Sequence, residues 1–115
     1  MIVHEMKLRE RYYEYILHGT KRIEIRLNDE KRQKIKIGDK IKFLNESNLN
    51  EYFKVKVIGL LRYDSLDNLL RDFDCSILAD SSISCEDLKK ILEEFYTKEK
   101  QDEYGILGIR IELEN

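Results

Sequence analysis

Gly19-Thr20-Lys21-Arg22-Ile23-Glu24-Ile25-Arg26-Leu27 is the stretch that decides how this chain folds. Apolar Ile23, Ile25 and Leu27 alternate with charged Arg22, Glu24 and Arg26. In a β-strand, alternate side chains point to opposite faces. One face is expected to enter a core. The other carries a row of charge reading plus, minus, plus. Lys21 stands at the entrance of the strand, and a basic loop that begins Asn28-Asp29-Glu30-Lys31-Arg32 follows it. Such a surface suits a phosphate or a nucleotide.

Working outward, residues 2–8 read as a short first strand and 9–18 as a helix. Leu8, Tyr12, Tyr15 and Ile16 form the helix stripe, and Gly19 is placed to end it. Residues 28–36 are polar and basic, hence a loop, and Gly38-Asp39 is a turn. Residues 40–44 alternate again, with Ile41 and Phe43 inward. A polar turn at 45–50 leads to a long strand at 52–61. Phe53, Val55, Val57 and Leu61 face inward there, and Gly59 marks a bulge or bend. Ser65 caps a short helix carrying Leu66, Leu69, Leu70 and Phe73. Residues 74–83 read as irregular. Ser84 and Asp87 make a capping box for a helix with the stripe Leu88, Ile91, Leu92 and Phe95. A charged loop at 97–103 precedes a last strand at 104–114. No regular alternation of strand and helix appears, so a wholly parallel sheet is not expected. Closing the strands into a small barrel would hide their edges.

The 115 residues suggest one domain, 1–115. Hydrophobic residues make up 42% and charged residues 38%, so the core is modest and the surface dense in charge. The charge is uneven. Residues 1–45 hold 12 Lys/Arg against 7 Asp/Glu, and the remainder 9 against 16, so a net charge of −2 conceals a basic half. No apolar run approaches the roughly 20 residues that span a bilayer. The first residues lack a basic region followed by an apolar block, so no secretory leader is expected. Cys75 and Cys85 do not make a disulfide framework and read as thiols, which favours a reducing, cytoplasmic location. His4 and His18 lack a metal spacing, and no glycine-rich phosphate loop is present. No cofactor or metal is therefore expected.

Three pieces of sequence together resemble the ASCH-domain family of the PUA-like superfamily. They are Gly19-x-Lys21-x-Ile23-Glu24-x-Arg26, then Ile37-Gly38-Asp39-x-Ile41-x-Phe43, then Tyr104-Gly105-Ile106-Leu107-Gly108-Ile109. The resemblance spans nearly the whole chain. It implies an α+β fold: a small, mostly antiparallel PUA-like β-barrel with about three helices packed around it. It also implies a cleft near the junction at Gly19–Lys21. ASCH proteins are generally proposed to bind RNA. One branch removes the acetyl group of N4-acetylcytidine, and some members are ribonucleases.

The favoured function is an RNA- or nucleotide-binding module. Its cleft is formed by Lys21, Arg22, Glu24 and Arg26 and rimmed by Lys31 and Arg32, with Tyr104 placed to line it. Arg26 offers a planar fork to a phosphate. Lys34, Lys36, Lys40 and Lys42 extend the basic patch. Tyr12, Tyr13 and Tyr15 lie beside the cleft, where an exposed ring could stack on a base. The alternative is a hydrolase acting on a modified nucleoside, or a ribonuclease, with Lys21 and Glu24 as catalytic candidates. The resemblance matches Lys21 to the lysine base of the deacetylating branch. That branch has a threonine nucleophile where this chain has Glu24, and a carboxylate does not replace a hydroxyl in ordinary acyl transfer. The balance therefore leans away from an enzyme. A third possibility is a protein partner for the acidic C-terminal half.

Overall fold

The computed structural model describes residues 2–114. A five-stranded sheet curls into a half-barrel, with helices on both of its faces. The strands are β1 (Val3–Leu8), β2 (Ile23–Leu27), β3 (Lys40–Asn45), β4 (Asn48–Tyr63) and β5 (Ile106–Leu113). Their order in the sheet is β1-β3-β4-β5-β2. β1 pairs with β3 in parallel, and the other pairings are antiparallel. The expected mixed, mostly antiparallel sheet is therefore present. The bulge expected at Gly59 is seen as a register shift between Val57 and Gly59.

Two apolar cores lie on opposite faces of this sheet. Ile41, Phe43, Val55, Val57, Leu107 and Ile109 fill the concave face with Tyr13 and Ile16 of α1 (Glu10–Leu17). The buried face of α1 is thus Tyr13 and Ile16, whereas Tyr12 and Tyr15 are half-buried. The second core joins Ile23, Ile25 and Ile106 to α2 (Leu66–Asp72), α3 (Cys75–Leu78) and α4 (Cys85–Phe95). The register explains β2. Ile23, Ile25 and Leu27 lie opposite Arg110, Gly108 and Ile106, while Glu24 and Arg26 lie opposite Ile109 and Leu107. The alternation read from sequence holds, but the charged face is not an outer surface. It points into the concave core, and Glu24 is as buried as its apolar neighbours.

The helix count of about three rises to five, because two elements carry little apolar pattern. α5 (Lys98–Tyr104) occupies the stretch expected to be a charged loop. Its N-terminus is capped by Thr97, whose hydroxyl oxygen accepts from the Lys100 N–H. Buried Gln101 anchors it with polar bonds, accepting from the Leu66 N–H and donating to the Tyr96 carbonyl. No apolar stripe announces such a helix. Tyr104 ends α5 rather than opening β5, and Gly105 follows at φ +75°. A Cβ there would stand 2.9 Å from the Tyr63 carbonyl oxygen, so the turn admits only glycine. α3 falls in the stretch read as irregular and is capped by Asp74. The 28–36 loop contains a 3₁₀ turn at Arg32–Lys34 and buries Ile35 beneath it.

Cys75 and Cys85 form a disulfide, which corrects their reading as thiols. Packing α3 against the start of α4 brings their Cα atoms to 5.5 Å, within bridging range. Cysteine usage therefore no longer supports a reducing compartment. Among the described residues, no helix is long and apolar enough to cross a membrane.

Candidate functional site

β1 and β2 are the two edges of the sheet and do not pair with each other. The curl brings them face to face, and a cleft of about 600 Å³ opens along the seam. Residues 5–8 of β1, residues 24–26 of β2, Lys31 and Arg32 line one side, and α4 lines the other. One bond crosses the seam: Arg26 Nη2 donates to the Lys7 carbonyl at 2.8 Å.

The floor is a buried ion cluster. Glu24 sits between two cations, with Lys21 Nζ 3.4 Å from Oε1 and Arg26 Nη2 2.9 Å from Oε2. Arg26 Nε also donates to Oε2, and the Ile25 N–H donates to Oε1. Lys21 Nζ donates further to the carbonyls of Ile23 at 2.6 Å and Leu78 at 2.7 Å. An ammonium has three protons to give, and these three oxygens occupy them. Burial holds the Lys21 ammonium below the usual lysine range, although Glu24 opposes the shift. Burial pushes the Glu24 carboxyl up, but Arg26 and Lys21 outweigh it and the group lies below the carboxylate range. Burial also works against the Arg26 guanidinium, yet Glu24 overrides it and raises the group.

Spare bonding capacity lies above this floor. Arg26 Nη1 has no hydrogen-bond partner among the described residues. Arg32 is held by Asp29, with Nη1 3.1 Å from Oδ2, while its buried Nε has no partner. Tyr12 lines the cleft, and its hydroxyl, closed off from solvent, is also unpartnered. Burial raises the Tyr12 phenol above its ordinary range. Lys7, Arg9 and Lys31 line the cleft, and none has a carboxylate within 4.0 Å among the described residues. Glu5 and Glu46 stand at the same opening.

The opposite wall is apolar. Leu88, Ile91, Leu92 and Phe95 of α4 line it, and Phe95 is 43% exposed. The Arg9 guanidinium lies 4.4 Å over the Phe95 ring. Tyr96 follows, donating its hydroxyl to the Ile25 carbonyl, and burial pushes its phenol up to about 12.

The structure therefore gathers Lys21, Glu24, Arg26, Lys31 and Arg32 at one cleft, as the sequence led us to expect. It leaves out two expected members. Arg22 is exposed and does not line the cleft. Tyr104 lines a separate hollow of about 400 Å³ with Arg62, Asp64 and Asp102. Both displacements follow from the local fold. Arg22 precedes the strand, and Tyr104 belongs to α5. The α4 wall was visible as an apolar stripe, but a stripe does not say that its far end is left uncovered. Lys7 and Arg9 carried no sequence signal beyond their charge.

The ASCH domain model matches residues 6–115. This chain belongs to the ASCH-domain family. No curated protein matches it significantly. Among solved structures, this ASCH domain resembles the crystal structure of hypothetical protein PH0355 at 38% identity and TM-score 0.86, covering 98% of this chain and 100% of that one. It also resembles the solution NMR structure of protein PF0455 from Pyrococcus furiosus at 35% identity and TM-score 0.77, covering 97% of each chain. An ASCH domain from Lactobacillus crispatus JV V101 shares the fold at 11% identity and TM-score 0.67, over 97% of this chain and 79% of that one.

Proposed function

We propose that this ASCH domain binds RNA or a nucleotide in the cleft between β1 and β2. The observation that carries the reading is the split between its two sides. Arg26, Arg32, Lys7, Arg9 and Lys31 present cationic groups on one side, and α4 presents an apolar wall on the other. A cationic rim suits phosphate, and an apolar wall with an accessible aromatic ring suits a base. The volume falls within the range of small-ligand sites.

The cluster beneath supports binding over hydrolysis. A general base must release a proton and turn a lone pair toward its substrate. The Lys21 ammonium gives its protons to three protein oxygens. Glu24 spends both oxygens on Arg26, Lys21 and the Ile25 N–H. The pair is built as a support that aims Arg26 across the seam.

The test is titration of the protein with single-stranded RNA across a salt series. Binding should weaken as salt rises. Arg32→Ala and Lys31→Ala should each lower the log–log salt slope by about 0.7, the share of one single-strand phosphate contact. Incubation with N4-acetylcytidine and with mixed RNA should give no product. No binding to RNA or to any nucleotide at low salt would end the proposal.

A further inference from the structure

We infer that the cleft holds one nucleotide at a time, with its phosphate toward Arg26 and Arg32, its base along the α4 wall, and Tyr12 as the residue that reads the base. This rests on the binding function proposed above and specifies its ligand and its discriminating residue.

The cleft has three zones with different chemistry. The first is the pair of unspent guanidinium groups. Arg26 Nη1 and Arg32 Nε are donors with no partner in the protein. Both side chains are already oriented, Arg26 by Glu24 and Arg32 by Asp29. Donors fixed before the ligand arrives lose little freedom on binding it. The second zone is the wall of Leu88, Ile91, Leu92 and Phe95, which offers no hydrogen bond and accepts a flat ring.

The third zone is Tyr12. A buried hydroxyl without a partner is costly and calls for an explanation. Nothing in the core explains this one, because Tyr13 and Ile16 provide the packing of α1. Tyr12 instead lines the cleft, with Lys21 Nζ 5.8 Å from the centre of its ring. Lys21 and Glu24 are saturated by their own bonds, so neither is free to read a base. A phenol can donate or accept, so it can pair with an edge group of a base once the ring is seated. A volume of about 600 Å³ between two protein walls has room for a single unit of a chain. Single-stranded RNA is recognised through bases splayed out in this way.

The same chemistry could reach the cleft as a free mononucleotide or as one unit of a single strand. Calorimetric titration separates the two. One arm uses the four ribonucleoside 5′-monophosphates, their nucleosides and inorganic phosphate. The other uses short single-stranded RNA. In whichever arm binds, Tyr12→Phe should weaken affinity roughly 3- to 10-fold, the effect of one hydrogen bond. The melting temperature should hold or rise, since an unpartnered hydroxyl is removed. Leu92→Trp should block the wall and abolish binding. Nucleosides should bind at least about tenfold more weakly than their monophosphates, because the charge-assisted bonds are lost.

If RNA binds with the same affinity to wild type, Tyr12→Phe and Leu92→Trp, the protein reads backbone alone. The inference then falls while the proposed function stands. If nucleosides bind as tightly as monophosphates, the placement of the phosphate is wrong. If nothing binds in either arm, both readings fail together.

Discussion

Two clusters of buried charge sit at opposite ends of β1, and only one of them borders a cleft. At the start of the strand, Asp39 accepts from the N–H groups of Ile2 and Lys36 and bonds His4 Nε2 at 2.8 Å. At the end of the strand, Glu24 joins Lys21 and Arg26, and Arg26 reaches the Lys7 carbonyl. Both clusters bury a carboxylate against partners that satisfy it. They differ in what remains. Asp39 closes a turn between two paired strands and borders no cavity. The Glu24 cluster lies where two edge strands meet without pairing, and its outermost guanidinium keeps a free nitrogen beside open volume. Burial of charge is therefore not in itself the mark of a site. Unused bonding capacity beside accessible space is the better mark.

The largest expected effect breaks the cleft cluster. Glu24→Ala leaves two buried cations without their counter-charge and should cost about 3–5 kcal/mol in urea unfolding. A loss below 1 kcal/mol would mean that Lys21 and Arg26 relax to water, contrary to their burial.

The disulfide ties into the same cluster and not the other. It closes the segment whose Leu78 carbonyl holds Lys21. Reduction, or Cys75→Ser with Cys85→Ser, should cost about 3 kcal/mol by the loop-closure argument. RNA binding should weaken in step, while an NMR probe at His4 should stay put. A shift at His4 with none at Lys21 would reverse the assignment.

Gly105→Ala tests a third place, the turn that aligns β5 behind the cleft. At φ +75° and ψ −178°, with the Tyr63 carbonyl crowding the added carbon, it should cost about 1–3 kcal/mol.

The Asp39 cluster should reveal itself through pH. Its bonds to His4 and to the backbone hold the carboxyl at about 2, below an ordinary value of 3.8. The folded value is the lower one, so its stabilising share is complete above about pH 4 and disappears as pH falls through about 2. That share is roughly 1–2 kcal/mol. Asp39→Asn should remove this part of the acid dependence in urea melts at pH 2–5. An unchanged acid limb would assign it to Glu24 instead. The smallest effect belongs to Lys34→Ala, on an exposed side chain outside the cleft, which should change stability by less than about 0.5 kcal/mol.

Much of this fold was legible in short-range pattern. The alternation at Ile41 and Phe43, the bulge at Gly59, the caps at Ser65 and Ser84 and the turn at Gly38-Asp39 each depend on neighbours within a few residues. The misread elements depend on distant partners. α5 is held by Gln101 reaching Leu66, and the disulfide by α3 packing on α4. Tyr104 and Arg22 look like cleft residues from their neighbours, yet α5 and the exposed entry to β2 place them elsewhere.

By itself the sequence determined the strand at 23–27, the split of its side chains between two faces, and the grouping of Lys21, Glu24 and Arg26. Periodicity and spacing are local, so they survive in one dimension. Only the tertiary structure decided that both faces are covered, that Lys21 and Glu24 are spent on each other and on backbone oxygens, and that Arg26, Arg32 and Tyr12 keep capacity at an open seam. The physical reason is that alternation fixes which side chains share a face, whereas the cover over that face comes from the sheet's curl and from helices distant in the chain.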